Sequence, residues 1–83
     1  MNYHVYILKS LCDGSFYIGQ TNNLVSRLQR HNGGLEKYTK TKAPWEIFWS
    51  MEVGTRSEAM RIEKKLKNMK SRRRIIAFVE AKG

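Results

Sequence analysis

This sequence has little cysteine, few histidines and no long apolar run. Its single cysteine, Cys12, has no partner in the chain, which excludes an internal disulfide and an all-cysteine zinc site. With two histidines and no clustered ligand spacing, we expect no structural zinc. No apolar run approaches the roughly 20 residues of a membrane-spanning helix, and nothing resembles a signal peptide. We therefore expect a cytoplasmic protein.

Acidic residues are also scarce, because seven Asp and Glu stand against sixteen Lys and Arg, for a formal net charge of +9. A positive field of that size attracts polyanions and speeds their encounter. Nucleic acid is the commonest partner for such a field, and an anionic membrane is the other. The membrane is disfavoured because the apolar helix faces are needed for a core. The length predicts one domain, residues 1–83, with one modest core.

The start of the chain predicts a β-hairpin. Residues 3–10 (YHVYILKS) and 15–20 (SFYIGQ) are rich in aromatic and branched side chains, and Asp13-Gly14 between them is a turn signal. Because strand side chains alternate, Tyr6 and Val5 should point to opposite faces of the sheet.

A helix should follow the hairpin. Residues 21–23 supply N-cap chemistry, and the helix then extends to about residue 31, where Asn32-Gly33-Gly34 ends it. Arg27 falls at the edge of the face that should be buried, a stripe formed by Leu24, Leu28 and His31.

The second half predicts a strand and two helices. Residues 35–44 look like an irregular loop, and 45–53 form a strand that is apolar on both faces and should therefore be central or well covered. A capping box at 55–58 opens a helix reaching about residue 70. Residues 72–81 predict a last helix, although a short apolar run is also compatible with a strand. The order β-β-α-β-α-α predicts an α+β fold, a three-stranded antiparallel sheet flanked by helices.

Four residues of the first half have side chains suited to phosphodiester chemistry. Tyr6 and Tyr17, taken singly, are more often packing residues, unless a cation beside a cleft lowers the pKa of the hydroxyl. Arg27 is such a cation, and its planar donors suit a phosphodiester, although a surface arginine is equally compatible with the pattern. His31 either favours the helix C-terminus by its charge or binds phosphate and moves a proton.

Glu63 is the acidic residue of interest in the second half. It precedes Lys67 by four positions, which by itself is explained by a surface ion pair. A single carboxylate can nevertheless anchor Mg²⁺ or Mn²⁺ where water and phosphate complete the coordination. The remaining acidic residues show no pairing that indicates a two-metal site.

The basic residues form two runs, one in the 35–44 loop with Lys40 and Lys42, and one over residues 64–74. Most charge runs are solvated faces. Three arginines of the second run, however, would crowd the N-terminus of the last helix, where the macrodipole disfavours cations. We therefore predict phosphate-backbone contacts, without base reading, for Lys40, Lys42, Arg72, Arg73 and Arg74.

Val5-Tyr6-Ile7 followed by Tyr17-Ile18-Gly19 resembles the paired motif of the GIY-YIG nuclease superfamily. The resemblance extends from Tyr3 to about Lys70 and includes an Arg-x-x-x-His helix and a later Ala-x-x-x-Glu helix. The chain looks most like the small stand-alone bacterial members. Two departures stand out: His4 replaces the leading glycine, and Lys70-Ser71-Arg72 stands where many members have an asparagine.

The resemblance implies hydrolysis of one DNA strand by water activated near a tyrosine or histidine, with one Mg²⁺ or Mn²⁺ ion. Carried over by position, it implies catalytic roles for Tyr6, Tyr17, Arg27 and His31, and a metal-ligand role for Glu63. We expect a monomeric DNA endonuclease in repair or processing that selects DNA structure rather than sequence and uses no small-molecule cofactor. The alternative is a nucleic-acid-binding module on the same fold that cuts slowly or not at all.

Overall fold

A computed structural model describes residues 2–82 and confirms the α+β fold and its β-β-α-β-α-α order. A short 3-10 helix, Lys40–Lys42, interrupts the loop between the first helix and the third strand. None of the helices in this part of the chain is long and apolar enough to cross a membrane. The elements are β1 (Tyr3–Ser10), β2 (Phe16–Thr21), α1 (Leu24–Asn32), β3 (Trp45–Val53), α2 (Arg56–Met69) and α3 (Arg72–Lys82).

β1 is the central strand of the antiparallel sheet, whose order is β2-β1-β3. Residues 5–8 are each at most 1% exposed, because both faces of β1 are covered. Of the two alternatives predicted for the third strand, a central position or good covering, the central position is wrong. Within residues 2–82, β3 pairs only with β1 and leaves Glu46 and Ile47 exposed. Several of its apolar side chains, including Phe48, Trp49 and Met51, nevertheless pack against the core under α2 and α3.

The alternation of β1 divides the core into two layers, as predicted. Val5 and Ile7 pack in the cluster that α2 and α3 cover, with Ala59, Leu66 and Ile75. Tyr6 and Leu8 point to the opposite face, where they pack with Trp45 and with residues of α1 and β2. The sheet therefore lies between α1 on one face and the α2–α3 pair on the other.

Side-chain caps begin the first two helices where the sequence predicts them. The Asn23 side chain accepts the backbone N–H of Ser26 at 3.0 Å, and the Thr55 hydroxyl accepts that of Glu58 at 3.2 Å. The segment after α2 is a helix and not a strand, and it buries Ile75.

Gly19 is required by a close approach of Tyr6. The two residues face each other across β1 and β2, and the Tyr6 ring lies directly over the glycine. A Cβ at position 19 would lie 2.5 Å from the Tyr6 Oη and 2.7 Å from its Cζ. No side chain fits there unless the tyrosine moves, so the glycine makes room for the phenol.

We expect Gly19→Ala to lower the free energy of unfolding by about 1–3 kcal/mol, because the new methyl group overpacks the site and displaces Tyr6. Gly54→Ala is the matched control, since a Cβ there meets nothing within 4 Å, and it should change stability by no more than about 0.5 kcal/mol. Urea unfolding of the wild type and both variants measures the effect. Equal free energies of unfolding for the two variants would show that Tyr6 can move away from the new methyl group without loss of stability.

Candidate active site

A buried hydrogen bond between Tyr6 and His31 lies at the centre of the site. The Tyr6 Oη is 3.3 Å from the His31 Nε2, and the two residues are 1% and 0% exposed. Strand alternation turns Tyr6 toward α1, and the apolar stripe of α1 brings His31 to the same layer. The structure thus brings together two side chains that lie 25 positions apart in the sequence.

Thr39 holds the other side of the imidazole. Its Oγ1 is 2.8 Å from the His31 Nδ1 and 3.4 Å from the backbone carbonyl oxygen of Glu36, to which only the threonine can donate. The hydroxyl therefore accepts from Nδ1–H, which leaves the lone pair of Nε2 to accept from Tyr6. The Thr39 carbonyl also accepts the Trp45 indole N–H at 2.9 Å.

The loop that carries Thr39 is fastened by two more polar side chains. Asn32 binds the backbone of Trp45 from both ends of its amide, with its Oδ1 accepting Trp45 N–H and its Nδ2 donating to the carbonyl at 3.1 Å. The buried Ser10 hydroxyl donates to the carbonyl of Lys42 at 2.6 Å. Sequence reasoning missed Thr39, because nothing in the sequence separates it from Thr41, and treated Asn32 only as a helix terminator.

Aromatic rings surround the imidazole. Tyr17, which is half-buried, has its ring centroid 4.8 Å from that of His31 and 6.4 Å from that of Tyr6. The rings of Trp45 and Tyr17 meet edge-on, with 6.2 Å between their centroids. The ring centroid of the exposed Tyr38 lies 6.0 Å from that of Tyr17. The two tyrosines of the sequence motif therefore share one aromatic cluster, with Tyr17 toward the surface.

Arg27 lies at the edge of this cluster, and not all of its hydrogen-bond donors are used within residues 2–82. Its Nη1 is 3.6 Å from the Glu36 Oε1, which also receives the Nε of Arg30 at 3.3 Å. Within residues 2–82, the Nε of Arg27 is buried and has no hydrogen-bond partner. A buried donor without a partner is costly, and an anionic ligand would satisfy it.

The surroundings define the protonation states of the cluster. Burial raises the pKa of Tyr6, the nearby Arg27 guanidinium opposes that rise, and the charges of Tyr17 and Glu63 add to it. Burial lowers the pKa of His31. The interaction with Tyr6 raises the pKa of Arg27. At neutral pH the site therefore contains a protonated phenol, a neutral imidazole and a charged guanidinium.

Glu63 lies on α2, which covers the other face of the sheet from α1, but its charge still raises the pKa of Tyr6. Its side chain, on α2, is 22% exposed and forms the predicted ion pair with Lys67, with 3.2 Å between Oε2 and Nζ. No three His, Cys, Asp or Glu side chains in the described part of the chain form a metal-binding group. The available donor is one carboxylate, which fits a hard cation held mainly by water and phosphate.

The two predicted phosphate-binding lysines differ in their surroundings. Lys40 is exposed on the 3-10 helix. Lys42 is half-buried, with its Nζ 3.8 Å from the Asp13 carboxylate and 3.3 Å from the Ser15 hydroxyl. Part of the charge of Lys42 is thus used within the protein.

The three arginines begin α3, as predicted, but only two of them are free of the hairpin. Arg72 donates to the carbonyl of Gly14 at 2.5 Å, and its guanidinium lies 4.2 Å from the Phe16 ring centroid. Arg73 and Arg74 are exposed. Arg72 therefore joins α3 to the β1–β2 loop, and the surface charge of this region belongs mainly to its two neighbours.

Comparison with known proteins agrees with the geometry. The family profile described as the GIY-YIG catalytic domain matches residues 2–75. A UPF0213 protein of Bacillus pumilus is 42% identical over 67 residues, which are 80% of this chain and 67% of that protein. One from Bacillus licheniformis is 37% identical over 82 residues, 98% of this chain and 84% of the relative. The solution NMR structure of the UPF0213 protein from Bacillus halodurans, 37% identical, superposes with a TM-score of 0.63 and covers 100% of this chain and 87% of that one.

The neutral, buried His31 predicts a loss of stability in mild acid. Its pKa is lowered from 6.5 in the folded state, so below about pH 6.5 the unfolded chain binds the extra proton and unfolding is favoured. The free energy of unfolding should fall as the pH drops from 7.5 to 5.5, by at most about 1.4 kcal/mol per pH unit from this residue.

Urea unfolding at pH 7.5, 6.5 and 5.5 measures this slope in the wild type and two variants. His31→Gln should flatten it, whereas His4→Gln, the matched control at the half-buried histidine of β1, should retain it. An unchanged slope in His31→Gln would mean that another group takes up the proton.

Proposed function

The chain belongs to the GIY-YIG catalytic-domain family, and we propose on that premise that it is a metal-dependent DNA endonuclease. It would cut one strand of a substrate chosen by its structure rather than its sequence, in DNA repair or processing. The observation that carries the proposal is the buried Tyr6–His31 hydrogen bond beside an arginine whose Nε has no partner in residues 2–82. A cytoplasmic location and a monomeric state stay predictions.

Arg27 supplies the phosphate contact in this proposal. Its Nε lacks a partner among the described residues, and the 3.6 Å from its Nη1 to Glu36 is longer than a good hydrogen bond. Planar donors therefore remain for two phosphate oxygens. A fixed cation at the scissile phosphate stabilises the negative charge that develops there during attack.

His31 acts through Tyr6, because both of its ring nitrogens have partners, whereas the Tyr6 oxygen keeps a lone pair that can accept a proton. When the Tyr6 oxygen takes a proton from the attacking water, its own proton passes to the Nε2 lone pair of His31. The water oxygen then bonds to phosphorus as the bond to the leaving oxygen breaks. Thr39 keeps the imidazole in the tautomer that this transfer requires. Tyr17, the more exposed tyrosine, packs on the imidazole and would contact the substrate.

Glu63 is the residue that would hold Mg²⁺ or Mn²⁺. When bound, the cation supplies charge stabilisation for the leaving oxygen. Glu63 suits that task because its carboxylate is partly exposed and lies close enough to Tyr6 to raise the pKa of the phenol. A cation bound there would compete with the ion pair between Glu63 and Lys67.

The nuclease is tested by nicking of supercoiled plasmid and cleavage of flapped and branched oligonucleotides in Mg²⁺, Mn²⁺ or EDTA. We expect the wild type to cut only with metal and Glu63→Ala to lose cutting by about 100-fold or more, since its metal ligand is gone. Lys67→Ala is the matched control, because it breaks the same ion pair and leaves the carboxylate, and it should still cut.

Equal cutting by the wild type and Glu63→Ala would remove Glu63 from the site. Salt-sensitive DNA binding by the wild type, with no cutting of any substrate in any metal, would contradict the enzyme and favour the binding module on the same fold. Glu63→Ala should leave DNA affinity almost unchanged in either case, since the residue contributes no positive charge.

We expect the three arginines of α3 to separate into one structural and two phosphate-binding residues. The pair of changes Arg73→Ala and Arg74→Ala should reduce the slope of log affinity against log salt by about 2, with stability unchanged. Arg72→Ala should instead lower the free energy of unfolding, because it loses the Gly14 and Phe16 contacts. Fluorescence anisotropy over a KCl series and urea unfolding measure both. An unchanged salt slope in the double variant would place the DNA on another face.

A further inference from the structure

We propose that Tyr38 is a stacking platform for an unpaired nucleobase beside the cleavage site, which makes single-stranded or frayed DNA the preferred substrate. The proposal rests on the proposed nuclease function and names its substrate class. It begins from an aromatic side chain that is 65% exposed although it lies next to the catalytic cluster.

Packing does not account for the position of Tyr38. Its ring belongs to neither of the two core clusters. Most of the ring is therefore in contact with water, and its apolar faces would be buried only by a bound ligand. The ring is nevertheless held on the surface. Its centroid is 6.0 Å from that of Tyr17, at 38° between the planes, and the Lys42 Nζ lies 5.6 Å from it.

The backbone at Tyr38 is fixed to the catalytic cluster. The next residue, Thr39, is 0% exposed, and its hydroxyl and carbonyl bind His31 and Trp45. A side chain on the neighbouring residue therefore keeps a defined distance from the Tyr6–His31 pair. Such a ring can orient a nucleotide relative to the scissile phosphate, whereas a ring on a free loop could not.

The charge around Tyr38 matches a nucleic-acid strand. Lys37 and Lys40 are exposed on the same segment, and Lys42 lies against the ring. Aromatic rings interleaved with lysines are the features that bind a single strand, because bases stack on the rings while phosphates meet the cations. The bases of an intact duplex are already stacked inside the helix, so only an unpaired base can lie on Tyr38.

Binding measured in EDTA tests the platform without cleavage. Fluorescence anisotropy would compare a labelled single-stranded 12-mer with a fully paired blunt duplex of the same length, using the wild type, Tyr38→Ala and Tyr38→Phe. Loss of one stacked base should weaken single-strand binding of Tyr38→Ala by about 10-fold or more, with duplex affinity within about twofold. Tyr38→Phe keeps the ring and should match the wild type. Leu35→Ala, at another exposed loop residue, is the control for a general loop effect.

A spectroscopic signal separates stacking from a loss of charge or shape. A 2-aminopurine placed in the single strand should be quenched on binding to the wild type and to Tyr38→Phe, and not on binding to Tyr38→Ala. Equal weakening of both DNAs by Tyr38→Ala, no weakening at all, or tighter wild-type binding of the duplex than of the single strand would each overturn the platform.

The outcomes distinguish the platform from the nuclease. If the wild type nicks DNA while Tyr38→Ala binds the single strand like the wild type, the platform is wrong and the nuclease stands. If stacking depends on Tyr38 but no metal supports cutting, the platform stands and the nuclease is wrong. If the wild type binds neither DNA, both are wrong.

Discussion

The burial of His31 between Tyr6 and Thr39 is the constraint on which the rest of the structure depends. A polar side chain that is 0% exposed must have its hydrogen bonds satisfied, and those bonds come from a strand and a loop that share no regular ladder. The phenol that supplies one of them requires Gly19 beneath it. The threonine that supplies the other requires a loop anchored to Trp45. Hence the glycine at position 19 of β2 and the path of the loop that carries Thr39 both depend on the burial of one imidazole.

The same burial fixes the chemistry of the site. Without water around it, the imidazole stays neutral, and the hydroxyl of Thr39 directs its proton to Nδ1. The lone pair of Nε2 then faces a phenol whose own pKa is raised by burial. Among residues 2–82 the His31 Nε2 is the acceptor at hydrogen-bond distance from the Tyr6 hydroxyl, so the proton transfer that we propose would use a bond that also stabilises the fold. Arg27 adds a charge at the edge, where a phosphate can reach it.

Strand and helix periodicity predicted which side chains lie in the same layer, but not the hydrogen bonds that join them to the loop. The period of two in β1 placed Tyr6 correctly, and the helical stripe of α1 placed His31 in the same layer. The edge position of β3 could not be predicted, because an apolar pattern reports the covering of the two faces of a strand and not the pairing of its two edges. Thr39 was missed for a related reason: its burial depends on a loop path that contacts far along the chain determine, and the sequence carries no periodic signal for it.

The net charge of +9 already includes every acidic residue, but it does not show how the positive charge is distributed over the surface. Glu36 lies against two arginines of α1, Glu63 pairs with Lys67, and Asp13 takes part of the charge of Lys42. Arg72 lies on the surface against the Gly14 carbonyl and the Phe16 ring, so part of its guanidinium is used within the protein. These acidic side chains thus offset cations of α1, α2 and the 35–44 loop, while exposed cations remain on that loop and at the start of α3. In the proposed enzyme, a strand held at those outer positions would meet Arg27, whose Nε has no partner among residues 2–82, with one of its phosphates, and that phosphate would be the preferred position for attack.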